Sequence, residues 1–170
     1  MLIIFSGLPG SGKSTIAQLL VQKRLAAYLR IDAIEHSILQ SGEHTNIGPT
    51  GYMVAYELAA SNLALGIPVV ADSVNPLEIT RRAWREVATK MTSPFIEVEV
   101  VCSDRTEHER RVTSRKSDIS GFKLPTWDNV VLHYYEPWHS TRLEIDTALI
   151  TANEAAELIL ERWKALSAPD

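Results

Sequence analysis

The chain has 170 residues, 45% hydrophobic and 22% charged, with a formal net charge of −4. That length suits one domain with a sizeable core. The acidic balance excludes a general electrostatic pull toward nucleic acid or anionic membrane, and Cys102 as the single cysteine excludes a disulfide framework and a Cys-rich zinc site. No apolar stretch approaches the length of a membrane span. The first apolar run has no basic segment before it, so no signal peptide is expected. The expectation is a cytoplasmic monomer or small homo-oligomer without a membrane partner.

Leu2 to Phe5 is a continuous apolar run, the pattern of a parallel strand covered on both faces. Gly7-Leu8-Pro9-Gly10-Ser11-Gly12-Lys13-Ser14 follows and fits the spacing G-x-x-x-x-G-K-[ST]. A loop that wraps a polyphosphate must aim successive backbone N–H groups inward, and glycines at 7, 10 and 12 keep side chains out of the way. Lys13 reaches for the β- and γ-phosphates and is expected to stand exposed until ligand binds. Ser14 offers its hydroxyl to Mg2+, and Ser11 and Thr15 complete the binding loop. Ser14 to Ala27 reads as a helix with Ile16, Leu19 and Leu20 along one face, which sets the phosphate on a helix N-terminus. A strand, this loop and a helix in that order imply a nucleoside triphosphate ligand. A ligand-free glycine-rich turn is the bland alternative.

The rest repeats one rhythm. Tyr28 to Ile31 reads as a short strand and Asp32 to Leu39 as a helix, followed by a polar loop, Gln40 to Gly51, without periodicity. Tyr52 to Leu65 is helical in pattern and closes at Gly66. Ile67 to Ala71 reads as a buried strand, Pro76 to Met91 as a helix and Phe95 to Cys102 as a strand. Asp104 to Lys116 reads as a helix and Ser117 to Pro125 as a loop. Thr126 to Glu136 reads as a helix with Trp127, Val130, Val131 and Tyr134 on one face. Arg142 to Asp146 is the last strand and Ala152 to Leu166 the last helix. Asn75, Asp104 and Thr151 each precede a Glu by three residues and read as helix caps. Strands alternating with helices imply an α/β fold: three α/β/α layers around a mostly parallel sheet of about five strands, in one domain over residues 1–170.

The segments GLPGSGKST, RIDAIE, VVADSVNP, VVCSDRTEHERRVTSR and EIDT stand in the order found in small P-loop kinases. Over nearly its whole length the chain resembles the AAA-type ATPase or kinase-like group that takes in chloramphenicol phosphotransferase, zeta toxins and the kinase domain of polynucleotide kinase. Relatives of this kind are described as adenylylsulfate kinase-like or cytidylate kinase-like. The resemblance implies ATP and Mg2+ as cofactors, a helical lid over about residues 110–125, and phosphoryl transfer to an acceptor.

Local chemistry can be set beside those implications. Ligands of open parallel sheets bind outside the carboxyl ends of the strands, and Asp32 and Asp72 both stand just past such ends. In the related kinases an Asp after the second strand binds the acceptor hydroxyl and can take its proton, and Asp32 matches that position. Asp32-Ala33-Ile34-Glu35 is also a capping box, so starting a helix is its alternative role. The relatives tend to carry Arg three residues further on, where this chain has Glu35, a departure that speaks against an anionic acceptor. Asp72 has the form of the strand-end carboxylate that serves Mg2+. Its alternative is a buried Asp satisfied by backbone N–H groups.

Arg111 and Arg115 are spaced i, i+4 and share one face of a predicted helix. By the resemblance they clamp the transferring phosphoryl, a task that suits planar guanidinium. A solvated basic face is the alternative. Gly121 offers a hinge for the loop that follows. The five histidines show no metal-ligand spacing, Trp138 could line a site, and Tyr52 with the loop before it is the best candidate for an acceptor pocket.

The sequence thus points to an ATP- and Mg2+-dependent phosphotransferase acting on a small-molecule or nucleotide acceptor. A cytidylate-type nucleoside monophosphate kinase is the first alternative. It needs a cationic acceptor site, and with no Lys or Arg between Asp32 and Tyr52, one of Arg30, Arg81, Arg82 or Arg85 would have to supply it. A nucleotide-binding switch that transfers nothing is the alternative of another class, and the base-reading motif N-K-x-D that such a switch usually carries does not occur.

Overall fold

In β1 (Leu2–Ser6) Ile3 and Phe5 face one core and Leu2 and Ile4 face another, so this strand divides the molecule. The computed structural model describes residues 1–42 and 46–167. In chain order, β1 is followed by α1 (Lys13–Lys23), β2 (Ala27–Arg30), α2 (Ile31–Gln40), α3 (Thr50–Ala64) and β3 (Val69–Asp72). Next come α4 (Glu78–Lys90), β4 (Phe95–Val101), α5 (Arg105–Ser114), α6 (Trp127–Val131), β5 (Leu143–Asp146) and α7 (Ala152–Ser167). The five strands form one sheet in the order β2-β3-β1-β4-β5, parallel at every pairing.

Two helical layers cover the sheet. Ile16, Ala17 and Leu20 of α1 and Ala155, Ile159 and Trp163 of α7 pack on Ile3, Phe5 and Val98. Ala55 and Ala59 of α3 and Trp84 and Ala88 of α4 pack on Leu2, Ile4, Val69 and Ala71. Burial on both faces explains why β1 and β3 read as unbroken apolar runs. The exception is β4, which buries Glu97 and Glu99. Arg85 reaches Glu97 at 2.9 Å and also pairs with Glu78, while Arg142 pairs with Glu99, so neither carboxylate is left without a cation.

The helix expected from Ser14 to Ala27 ends at Lys23, with Ala27 already in β2, and the one expected to reach Lys116 ends at Ser114. Two further departures trace to Arg81. This side chain is fully buried between the rings of Tyr135 and Trp138. Its nitrogens donate to the carbonyls of Asn75, Pro76, Glu136 and Pro137 at 2.9–3.1 Å. The segment after α6 is therefore drawn under α4. Glu136 N–H bonds Pro76 O at 2.9 Å, and Pro137 disfavours helical backbone at Glu136. The helix expected from Thr126 to Glu136 stops at Val131, leaving Val131 and Tyr134 exposed.

At the other end of the same network Asn75 does not cap α4. It takes a left-handed φ of 48°, receives Arg81 on its carbonyl and donates its N–H to the Tyr52 hydroxyl at 3.0 Å. The first turn of α4 starts two residues later than Pro76, and its Glu78 N–H is met by the carboxylate of Glu136 at 2.6 Å. The other two caps form as read: Asp104 accepts from Glu107 N–H, and Thr151 and Glu154 bond reciprocally.

Arg81→Leu keeps bulk but strips buried carbonyls of their donors, each an uncompensated desolvation. Urea unfolding should show a loss of about 3 kcal/mol or more. A loss near zero would mean the segment around Glu136 is held by its packing alone.

Candidate functional site

The loop between β1 and α1 is shaped by its neighbours. Gly7, Gly10 and Gly12 all have positive φ, at 135°, 84° and 104°. A Cβ on Gly7 would meet Val100 O at 2.1 Å, and one on Gly10 would meet Val112 of α5 at 2.5 Å. These glycines are thus required by contacts within the protein, in addition to the room they leave for a ligand. Three side chains from outside the loop fix it. His108 Nε2 lies 2.9 Å from Pro9 O. Thr147, just past β5, donates its hydroxyl to Ser11 O at 2.8 Å and accepts from Arg111 at 2.7 Å. Arg111 also bonds Thr147 O and pairs with Glu107.

No side chain caps α1, whose N-cap residue is Gly12, so the N–H groups of its first turn lack intrahelical acceptors. Lys13 is buried rather than exposed. Its ammonium lies back across the loop and donates to Leu8 O at 3.1 Å. Burial lowers its pKa, while Asp72 and Asp32 support its charge.

A cavity of about 940 Å³ opens over this loop and is lined by Lys13, Ser14, Asp32, Asp72, Arg111 and Arg115 among others. The structure thus brings the sequence-derived acidic and basic residues to one space. Asp72, at the end of β3, is buried, and Tyr28 of β2 donates to its Oδ2 at 2.7 Å. Asp32 lies in the first turn of α2, whose N-cap is Arg30 with no side-chain capping bond, so Asp32 is not occupied as a cap. Burial raises its carboxyl pKa, and Lys13 opposes the rise. Arg115 falls one residue past α5, in extended backbone, so it does not continue the helical face of Arg111. The two are differently employed. Arg111 is bound to Glu107 and Thr147, whereas Arg115 Nε is buried with no partner among the described residues.

The segment after α5 lies against α2. Arg30, the last residue of β2, pairs with Asp118 at 2.6 Å. His36 Nε2 is 2.9 Å from Ser120 O, and its ring meets Phe122 edge-on at 5.8 Å. Gly121, with φ of 76°, sits beside the same ring.

Beyond Asp32 the cavity wall includes Ser73, whose hydroxyl is buried and unpartnered among the described residues. Tyr52, singled out for an acceptor pocket, does not line this cavity: its hydroxyl accepts from Asn75 N–H, and burial pushes its pKa up to about 12. Glu35 packs on Gly51 at the start of α3, where a Cβ would come within 2.3 Å of its Cγ. Burial, and after it the Asp32 charge, push the Glu35 carboxyl up to about 7. The residues 43–45 of the loop singled out for the acceptor lie outside the described residues, His44 with them. Trp138 does not line the cavity; it stacks on Arg81.

Of the four arginines that could serve an anionic acceptor, three are engaged elsewhere. Arg81 is bound by four carbonyls, Arg85 by Glu78 and Glu97, and Arg82 pairs with Glu86 on the surface; Arg30 is engaged only in part, giving one terminal nitrogen to Asp118. Sequence reasoning missed Thr147, His108 and Tyr28, because each acts through a contact distant along the chain. Among the described residues no three His, Cys, Asp or Glu side chains cluster as a metal cage. A hydroxyl and a carboxylate, Ser14 and Asp72, do line the cavity beside the loop, a donor pair that suits a hard, largely hydrated cation such as Mg2+.

The chain belongs to the AAA domain family, whose profile matches residues 2–136. No match was found among the curated proteins. Similar folds occur in the Mycobacterium tuberculosis APS kinase CysC in complex with AMPPNP and APS, 22% identical over 96% of either chain with a TM-score of 0.72. A gluconokinase from Sinorhizobium meliloti is 20% identical over 98% of this chain and 97% of that one, with a TM-score of 0.63. A sugar kinase from a Janibacter species is 15% identical over 97% and 92%, with a TM-score of 0.63. The resemblance to small P-loop kinase-like proteins and the α/β/α fold class are borne out. No helix of the described residues is long and apolar enough to cross a membrane.

A carboxyl raised to about 7 in the fold favours folding in its protonated form. That contribution is complete below the ordinary value of 4.5 and is lost as pH rises through about 7. Glu35→Gln removes the titration, so its Tm relative to wild type should rise steadily from pH 5 to pH 8. A difference independent of pH would place Glu35 in solvent.

Proposed function

We propose that the chain is an ATP- and Mg2+-dependent kinase that transfers the γ-phosphoryl to a hydroxyl of a small molecule. The observation that carries this reading is the convergence of Lys13, Asp32, Asp72 and Arg115 on one cavity at the carboxyl ends of the strands. The relation to folds named as APS kinase, gluconokinase and sugar kinase supports it.

The loop from Gly7 to Thr15 holds the triphosphate, with Ser11 and Gly12 at the open N-terminus of α1. Lys13 swings from Leu8 O to the β- and γ-phosphates. Ser14 and Asp72 would hold Mg2+, which when bound supplies charge neutralisation across the phosphates. Tyr28, by occupying one Asp72 oxygen, fixes that carboxylate's orientation. Asp32 orients the acceptor hydroxyl and takes its proton as the acceptor oxygen bonds to phosphorus and the β–γ bridging bond breaks. Arg115 stabilises charge on the transferring group, and Arg111 acts chiefly by holding Thr147 and hence the loop.

The engagement of Arg81, Arg82 and Arg85 elsewhere and the pair Asp32 and Glu35 favour a hydroxyl acceptor over the phosphate acceptor of a cytidylate-type kinase. A carboxylate placed to take a proton also favours transfer over a pure nucleotide switch. Cytoplasmic location and a monomer or small homo-oligomer remain the expectation.

Lys13→Ala should abolish transfer and weaken ATP binding while circular dichroism stays native. Wild-type turnover in that variant would remove the kinase reading. Asp32→Asn should cut turnover about a hundredfold or more with ATP affinity within about threefold, since a general base acts on the chemical step. An unchanged rate would reduce Asp32 to a first-turn helix residue.

A further inference from the structure

We infer that Arg30 is a further phosphoryl-binding residue of this site, positioned by Asp118 when the segment after α5 lies against α2. The inference rests on the kinase reading above. Arg30 closes β2 two residues before Asp32, so its backbone is fixed by the sheet through the pairing of Arg30 with Asp72. Its side chain is only 16% exposed. One terminal nitrogen donates to Asp118, while Nε is buried and unpartnered among the described residues. Arg115 Nε is in the same condition, and both residues line the space that Lys13 lines.

A buried guanidinium N–H without an acceptor is costly, and two in one cavity with a buried ammonium call for a ligand rich in anionic oxygens. Asp32 and Asp72 do not fill that need. No hydrogen bond joins either of them to Arg30 or Arg115 among the described residues, and Asp72 Oδ2 already receives Tyr28. A tetrahedral phosphoryl group lying between the strand end and the lid offers oxygens to both sides. Guanidinium is suited to it because one nitrogen can serve the protein while another serves the phosphoryl.

Arg30 differs from the lid arginines in one respect: it is part of the rigid sheet and does not travel with the lid. Asp118 does. The pair is largely solvent-facing on the Asp118 side, which is 60% exposed, so it adds little stability as an ion pair. Its consequence is geometric. When His36 meets Ser120 and Phe122, Asp118 takes one nitrogen of Arg30 and thereby restricts the rotation of the rest of the fork. Asp118 is in this sense a positioning residue that ties the guanidinium's orientation to lid closure.

Titration calorimetry with ADP and with AMPPNP, each with Mg2+, separates a γ-phosphoryl contact from a structural one. Arg30→Ala should weaken AMPPNP about tenfold or more while ADP stays within about twofold, because only the former carries the group Arg30 would touch. Retained ADP binding also reports an intact fold. Should Arg30→Ala fail to fold, Arg30→Lys carries the same comparison with a smaller expected loss of about threefold for AMPPNP alone. Asp118→Ala should give a partial loss, again for AMPPNP only, with faster hydrogen exchange over residues 117–122 in the AMPPNP complex.

Equal losses for the two nucleotides, or none for either, would overturn the inference and leave Arg30 as a lid anchor. So would a loss confined to the KM of an acceptor. If the wild-type protein binds neither nucleotide, the kinase reading itself falls and takes this inference with it. That outcome is distinct from tight binding of both with an unchanged ratio in the Arg30 variants.

Discussion

The hydroxyl of Thr147 holds Ser11 O at 2.8 Å, and Arg111 holds Thr147; most of the site's geometry depends on this short chain. A loop with three glycines in left-handed backbone has large conformational freedom to lose on folding. Its own sequence supplies little to restrain it. The restraint comes from β4 at Gly7, from α5 at Pro9 and Gly10, and from the turn after β5 at Ser11 and Gly12. Because α5 leads directly into the segment that follows Ser114, the element that cradles the loop also carries Arg115 toward the cavity. Shaping of the loop and placement of the segment after α5 are therefore mechanically joined at Arg111.

The same arrangement governs the electrostatics. Lys13, Asp32 and Asp72 are close enough to shift the Lys13 pKa, and they do so in a space largely removed from water. Charges there act at low effective dielectric, so each exerts more influence than it would on the surface. Burial lowers the pKa of the lysine, and the two carboxylates oppose that. The acidic residues thus support the charge of the loop's buried cation. Tyr28, which holds one oxygen of Asp72, fixes the position from which that support is given.

Much of this was legible in the sequence because it is encoded locally. The apolar runs of β1 and β3, the glycine loop and the caps at Asp104 and Thr151 are short-range patterns, and each forms as expected. Asp32 and Asp72 were found from their place at strand ends. What escaped was set by residues far apart. The helix from Thr126 was expected to continue because nothing local before Pro137 stops it; Arg81, more than forty residues earlier, pulls the chain away. Asn75-Pro76-Leu77-Glu78 has the form of a capping box, yet the buried partners Ser6, Tyr52 and Arg81 claim the asparagine. The i, i+4 spacing of Arg111 and Arg115 likewise said nothing of a helix ending between them.

The clamp on the phosphate loop joins residues 136 positions apart, and the His108 contact joins residues 99 apart. Contacts of such long sequence separation form late and slowly, because the intervening chain must be ordered before they add stability. The central strand β1 has the same character, since both its partners, β3 and β4, lie more than sixty residues downstream. The loop that begins the motif therefore cannot hold its final shape until β4, α5 and the turn after β5 are in place. Partly folded chains, with the last strand and helix still undocked, would hold the full motif in sequence and no cradle in space. The cradle around the loop is therefore complete only when the last strand and its following turn have docked, so its shape is a property of the finished topology and not of the motif.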